Sequence, residues 1–107
     1  MDESMVRTCA RAHAEAVVVG DLRRAASDLA ETAREGAGGV MAKLPRPLAG
    51  ADVVSVEQTG NEVVARIRYF GDGGETTVAS RWAERGGRPM IVALVLVGGE
   101  EDRTGGL

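Results

Sequence analysis

The sequence predicts an α+β domain in which N-terminal helices cover one face of a four-stranded antiparallel meander. Three observations carry this prediction. Apolar residues recur at steps of three and four through the first third of the chain. The recurrence then shortens to two. The apolar runs of the second half are separated by short glycine-bearing loops of the kind that close hairpins.

From Met5 to Val19 the chain is rich in alanine, and Val6, Ala10, His13 and Val17 fall on one stripe of an amphipathic helix. Residues 1–4 are expected to be disordered. Gly20 suits a left-handed C-terminal residue, and Asp21 can accept the free amides of a new helix. The next segment places Leu22, Ala25, Ala26, Leu29 and Ala33 on one face, with Arg23, Arg24, Asp28, Glu31 and Arg34 elsewhere. A second helix is therefore expected to run to the glycines at 36, 38 and 39. Val40, Met41 and Leu44 can form one short turn before Pro45 and Pro47 impose an extended connection.

Four strands are expected: Asp52 to Gln58, Glu62 to Phe70, Glu75 to Glu84 and Pro89 to Val97. Gly60-Asn61, Gly71 to Gly74, and Gly86-Gly87 separate them. The domain spans residues 5–97, and residues 98–107, polar and glycine-bearing, form a flexible tail.

Turn chemistry sets a register for each hairpin. Gly60-Asn61 brings Val56 opposite Ala65, Val54 opposite Ile67 and Asp52 opposite Tyr69. With Phe70 facing Glu75, Ile67 meets Val78, Ala65 meets Ser80 and Val63 meets Trp82. Closing the last hairpin at Gly86-Gly87 sets Trp82 against Ile91, Ser80 against Ala93 and Val78 against Val95. The three registers place Val54, Val56, Val63, Ala65, Ile67, Tyr69, Val78, Trp82, Ile91, Ala93 and Val95 on one inner face, which the helices cover.

The outer face carries Ser55, Glu57, Arg66, Arg68, Thr77 and Arg81 on three strands but Met90, Val92, Leu94 and Leu96 on the last. Each large aliphatic side chain left in water forgoes about 1.5–3 kcal/mol. A homodimer through this face, with Met90, Val92, Leu94 and Leu96 central and Arg66 and Arg81 at the rim, is the expected cover. The alternative is the tail folding back over the strand.

Composition excludes several function classes. Thirteen Lys and Arg against sixteen Asp and Glu give a net charge of −3, which supplies no field for nucleic acid or an anionic membrane. Three aromatic residues cannot build stacking platforms for bases. The acidic N-terminus lacks the features of a signal peptide, and no apolar run is long enough for a membrane span. The lone cysteine, Cys9, cannot form an internal disulfide and suits a reducing, cytoplasmic compartment. No metal or cofactor is expected, since neither metal-ligand clusters nor a phosphate-binding loop occur.

Two segments, AEAVVVGDLRRAASDL at the Gly20-Asp21 break and RWAERGGRPMIVAL across the last hairpin, resemble the nuclear transport factor 2-like superfamily, which includes SnoaL-like cyclases and ketosteroid isomerases. The likeness covers about residues 5–97. It implies a curved sheet wrapped around helices into a cone, a cavity between them, and dimerisation through the outer face. It implies no single activity, because the fold hosts enzymes, ligand binders and interaction modules.

His13 is the one histidine, and its place on the apolar stripe makes it the candidate general base. Its ordinary alternative is a buried histidine hydrogen-bonded to a neighbour. The expected pocket residues are His13, Val17, Asp52, Tyr69, Thr76, Ser80 and Trp82. Ser80, a hydroxyl among apolar neighbours, requires a partner if buried. No carboxylate is expected in the middle of the inner face, so none is assigned a catalytic role. The leading expectation is a non-catalytic homodimer that binds a small apolar ligand between helices and sheet. The alternatives are an isomerase- or cyclase-like enzyme using His13, and an interaction domain with a filled cavity.

Overall fold

The structure, a computed structural model, describes residues 1–99. Three helices, α1 (Glu3–Val19), α2 (Leu22–Ala26) and α3 (Glu31–Met41), precede four strands, β1 (Leu48–Thr59), β2 (Glu62–Gly71), β3 (Gly74–Arg85) and β4 (Arg88–Gly99). The strands form one antiparallel sheet in chain order, and the helices pack against one of its faces.

Helix α1 begins before Met5, because Asp2 caps it by accepting the amide of Met5 at 2.8 Å. Residues 1–4, expected to be disordered, thus supply the cap and the first turn. Glu3 also accepts the backbone amide of Gln58 at 3.0 Å, tying this end to β1. At the other end Gly20 adopts φ +83°, the left-handed C-terminal conformation expected of it.

The expected second helix is two helices. Between α2 and α3 the chain leaves helical geometry and runs beside β4: the Ile91 amide donates to the Asp28 carbonyl at 2.7 Å, and the Ala30 amide donates to the Ile91 carbonyl at 2.8 Å. These tertiary bonds pair the Asp28 carbonyl and the Ala30 amide, two groups that the break takes out of the helical pattern. Helix α3 then passes through Gly36, Gly38 and Gly39, where the sequence suggests a stop. Packing of Ala33, Ala37, Val40 and Met41 on the core offsets glycine's low helix propensity, which costs about 1 kcal/mol per residue.

The central strands follow the expected register: Val63 faces Trp82, Ala65 faces Ser80, Ile67 faces Val78, and Phe70 faces Glu75. Gly86 and Gly87, at φ +60° and +82°, form the turn that sets Arg85 against Arg88. Each outer strand carries two irregularities, one of which breaks the expected register inside the strand. In β1 the irregularity between Val53 and Ser55 sets Val53 opposite Ile67 and Asp52 opposite Arg68, and turns Val54 outward at 53% exposure. In β4 Trp82 faces Ile91, as expected, but Arg81 faces Ala93, so Val92 is the extra residue.

That extra residue inverts β4 as far as Leu96, after which a second irregularity sets Gly99 opposite Thr76. Ser80 faces Leu94 and Val78 faces Leu96, and both leucines pack against the core with the helices. Ala93 and Val95, expected inside, lie opposite Arg81 and Ala79 on the outer face, where Val95 is 54% exposed. Leu94 and Leu96 therefore cannot form the centre of an outer-face dimer. Of the other residues expected there, Met90 pairs with Ala83, Arg66 lies 3.9 Å from Glu57, and Arg81 lies 3.3 Å from Glu62. The expected tail begins inside β4, whose last residue is Gly99, and residues 100–107 lie outside the described residues.

The core is continuous between the two layers. Val6, Ala10, Ala14 and Val17 of α1 meet Val63, Ala65, Ile67 and Tyr69 of β2, Val78 and Trp82 of β3, and Ile91 of β4. Among the described residues no helix is long and apolar enough to cross a membrane.

Candidate functional site

His13 is 6% exposed on the buried stripe of α1, where its ring meets the Trp82 indole edge-on at a centroid distance of 6.3 Å and an angle of 88°. The break between α2 and α3 carries Asp28 to it. Asp28 is 2% exposed, and its Oδ2 lies 3.0 Å from Nδ1 of His13. Arg24 donates to the same oxygen at 3.0 Å, while Arg88, on β4, donates to Oδ1 at 2.9 Å. One buried carboxylate thus joins three chain segments.

A charge removed from water is tolerated only when paired and hydrogen-bonded, and Asp28 has three such partners. Burial pushes its carboxyl up, but hydrogen bonding and charge from His13, and then from Arg24, outweigh burial and hold it below the ordinary carboxylate value. The ionised carboxylate can only accept. Nδ1 of His13 must therefore carry a proton, and in the neutral ring Nε2 is left as an acceptor.

Below His13 the core has its own polar chain. Trp82 donates from Nε1 to Oγ of Ser80 at 2.9 Å, and Ser80 donates to the Ala65 carbonyl at 2.7 Å. This is the partner that a buried Ser80 requires, and it commits both residues to structure.

Between the helices and the sheet lies a cavity of about 360 Å³. Its walls are mostly aliphatic, with Val17, Leu29, Val40, Met41, Leu44 and Leu94 prominent, and His13 and Tyr69 contribute to the lining. On the helical side Ala25, Ala26, Ala37 and Gly38 also line it.

Three of the expected pocket residues, His13, Val17 and Tyr69, line this cavity. Four do not. Asp52 lies on the outer face, bonded to Arg68 at 2.7 Å, because the β1 bulge moves it off the inner register. Thr76 faces Tyr69 but donates to the Lys43 carbonyl at 3.3 Å. Ser80 and Trp82 are fully buried away from the lining and joined by the bonds just described.

Sequence reasoning missed Asp28, which it placed on the polar side of a continuous helix, and with it Arg88. A signal was present. Ser27 and Asp28 are adjacent residues that favour caps and turns over helix interiors, and a buried histidine calls for an acceptor on a neighbouring element.

A second groove, of about 400 Å³ between α1 and β1, is bordered by Arg11, Glu15 and Asp52 and offers mixed charges with no converging polar group. Among the described residues no group of three or more histidine, cysteine or carboxylate side chains is placed to hold a metal ion. No protein-family model, no curated protein and no solved structure matches the chain.

Proposed function

We propose that this protein is a non-catalytic module that binds a small, mostly apolar molecule in the cavity between its helices and sheet. One observation carries the reading: an aliphatic space of about 360 Å³ has a histidine, fixed by a buried carboxylate, in its wall. Such a combination of apolar lining and few oriented polar groups is what small-ligand sites share. The order of helices and meander also supports membership of the nuclear transport factor 2-like superfamily, with a curved, cone-like sheet. The test is a heteronuclear NMR titration with propylbenzene. Shifts concentrated at Val17, Leu29, Val40 and Leu94 are expected, and an unchanged spectrum at saturating probe would overturn the reading.

A second reading, an isomerase-like enzyme, is favoured by the bond from Nδ1 of His13 to Asp28, the arrangement that orients an imidazole for proton transfer at Nε2. In this reading Nε2 takes the proton from the carbon beside a ketone, leaving an enolate, and returns it to the same skeleton. Deuterium exchange into 2-indanone in D2O measures the step. Exchange no faster than in buffer, or equally fast with His13→Asn, removes it.

A further inference from the structure

The aliphatic cavity has one basic corner. Among the described residues that line it, Arg46 is the one arginine or lysine, and no aspartate or glutamate takes part. Arg46 is exposed, whereas Val17, Leu29 and Leu44 of the same lining are buried, so the guanidinium stands where the apolar space meets solvent.

Its place is set from two sides. Pro45 and Pro47 flank it and restrict the backbone. The Pro47 carbonyl lies so close to Gly71 that a side chain there would collide with it, which seats this connection on the end of β2. The guanidinium donates from Nη2 to the Met41 carbonyl at 3.4 Å, at the C-terminal end of α3, and Met41 lines the cavity as well. Arg24, Arg66, Arg68, Arg81 and Arg88 each lie beside a carboxylate. Among the described residues Arg46 pairs with none, which leaves its other N–H groups for solvent or a ligand.

We propose that the cavity takes a medium-length aliphatic carboxylate, with its chain in the apolar space and its head group at Arg46. The inference rests on the apolar-ligand reading above and names its ligand class. A guanidinium matches a carboxylate with parallel N–H donors, whereas an ammonium head meets a like charge there. At the rim the head keeps part of its hydration, so it escapes the cost of a buried charge. A head at the inner end would instead approach His13 and the Asp28 carboxylate behind it. At the ~30 Å³ that a non-hydrogen atom occupies in a liquid, a space of about 360 Å³ holds about a dozen such atoms, the size of a chain of eight to ten carbons.

The experiment compares octanoate, octylammonium and 1-octanol by NMR titration at neutral pH. Octanoate is expected to bind about fivefold more tightly than octylammonium, the size of effect that a solvated ion pair gives, and to shift the Arg46 Nε–H resonance. Arg46→Gln should abolish this preference, Arg46→Lys should retain part of it, and 1-octanol should bind both variants as it binds wild type, which also shows that they fold. Equal affinity for octanoate and octylammonium, with 1-octanol bound, would overturn the head-group assignment and leave apolar binding standing. A preference for octanoate that survives in Arg46→Gln would overturn it in favour of a head group at the inner end. No binding by any probe would remove both readings together.

Discussion

Two aspartates in this molecule bind arginines at nearly the same distance and do different work. Asp28 is enclosed between α1, the α2–α3 break and β4, and bonds to His13, Arg24 and Arg88 at 2.9 to 3.0 Å. Asp52 lies on the outer face, more than half exposed, and bonds to Arg68 at 2.7 Å, with Glu75 at 3.5 Å from the same guanidinium. Distance alone ranks Asp52 first. Energetics reverse the order, because water competes for Asp52 and its partners at little cost, whereas Asp28 has no such alternative. The buried cluster also does structural work that the surface pair does not: it holds the helix break against β4 and orients the ring of the cavity histidine.

Replacing each aspartate separates these roles. Asp28→Asn removes the charge and leaves His13, Arg24 and Arg88 facing a neutral amide, and it should destabilise the fold by about 3 kcal/mol in urea unfolding. The wild-type advantage over this variant should itself depend on pH. The folded-state carboxyl lies below its ordinary value, so its stabilisation is complete above about pH 5 and is lost as the pH falls through the lowered folded value. The gap between wild type and Asp28→Asn should therefore shrink in acid, and a constant gap from pH 7 to 3 would contradict the assignment. Asp52→Asn should leave the unfolding midpoint indistinguishable from wild type, because the pair it breaks is solvated. A large loss there would show that the outer face depends on its ion pairs more than their exposure implies.

The same contrast marks what the sequence made legible. The middle of the sheet was readable because β2 and β3 alternate cleanly and their turn fixes the register, so the partners of Val63, Ala65 and Ile67 came out as expected. The outer strands were not. Val53 and Val54 are identical residues, and Ile91 to Val97 is an unbroken apolar run, so alternation gives no indication of a bulge in either place. One residue of slip in β4 moved Leu94 and Leu96 from a supposed dimer surface to the helix side, and one in β1 moved Asp52 out of the supposed pocket.

The candidate site was half legible for a related reason. His13, Val17 and Tyr69 sit on stripes whose period announces their facing. Asp28 sits on no stripe, because it lies where the helix stops.

By itself the chain determined its local elements and their order: the cap at Gly20, the hairpin turns, the central register and the burial of a lone histidine. These depend on neighbours a few positions away, or directly across a tight turn. Only the tertiary structure decided where α2 gives way to α3, which face Leu94 takes, and which carboxylate reaches His13. Each of those outcomes requires a backbone or side-chain group to find a partner on a distant segment, as the Ile91 amide and carbonyl do with Asp28 and Ala30. Periodicity records how a segment meets the core as a whole, and it is blind to a single hydrogen bond that shifts the chain by one residue.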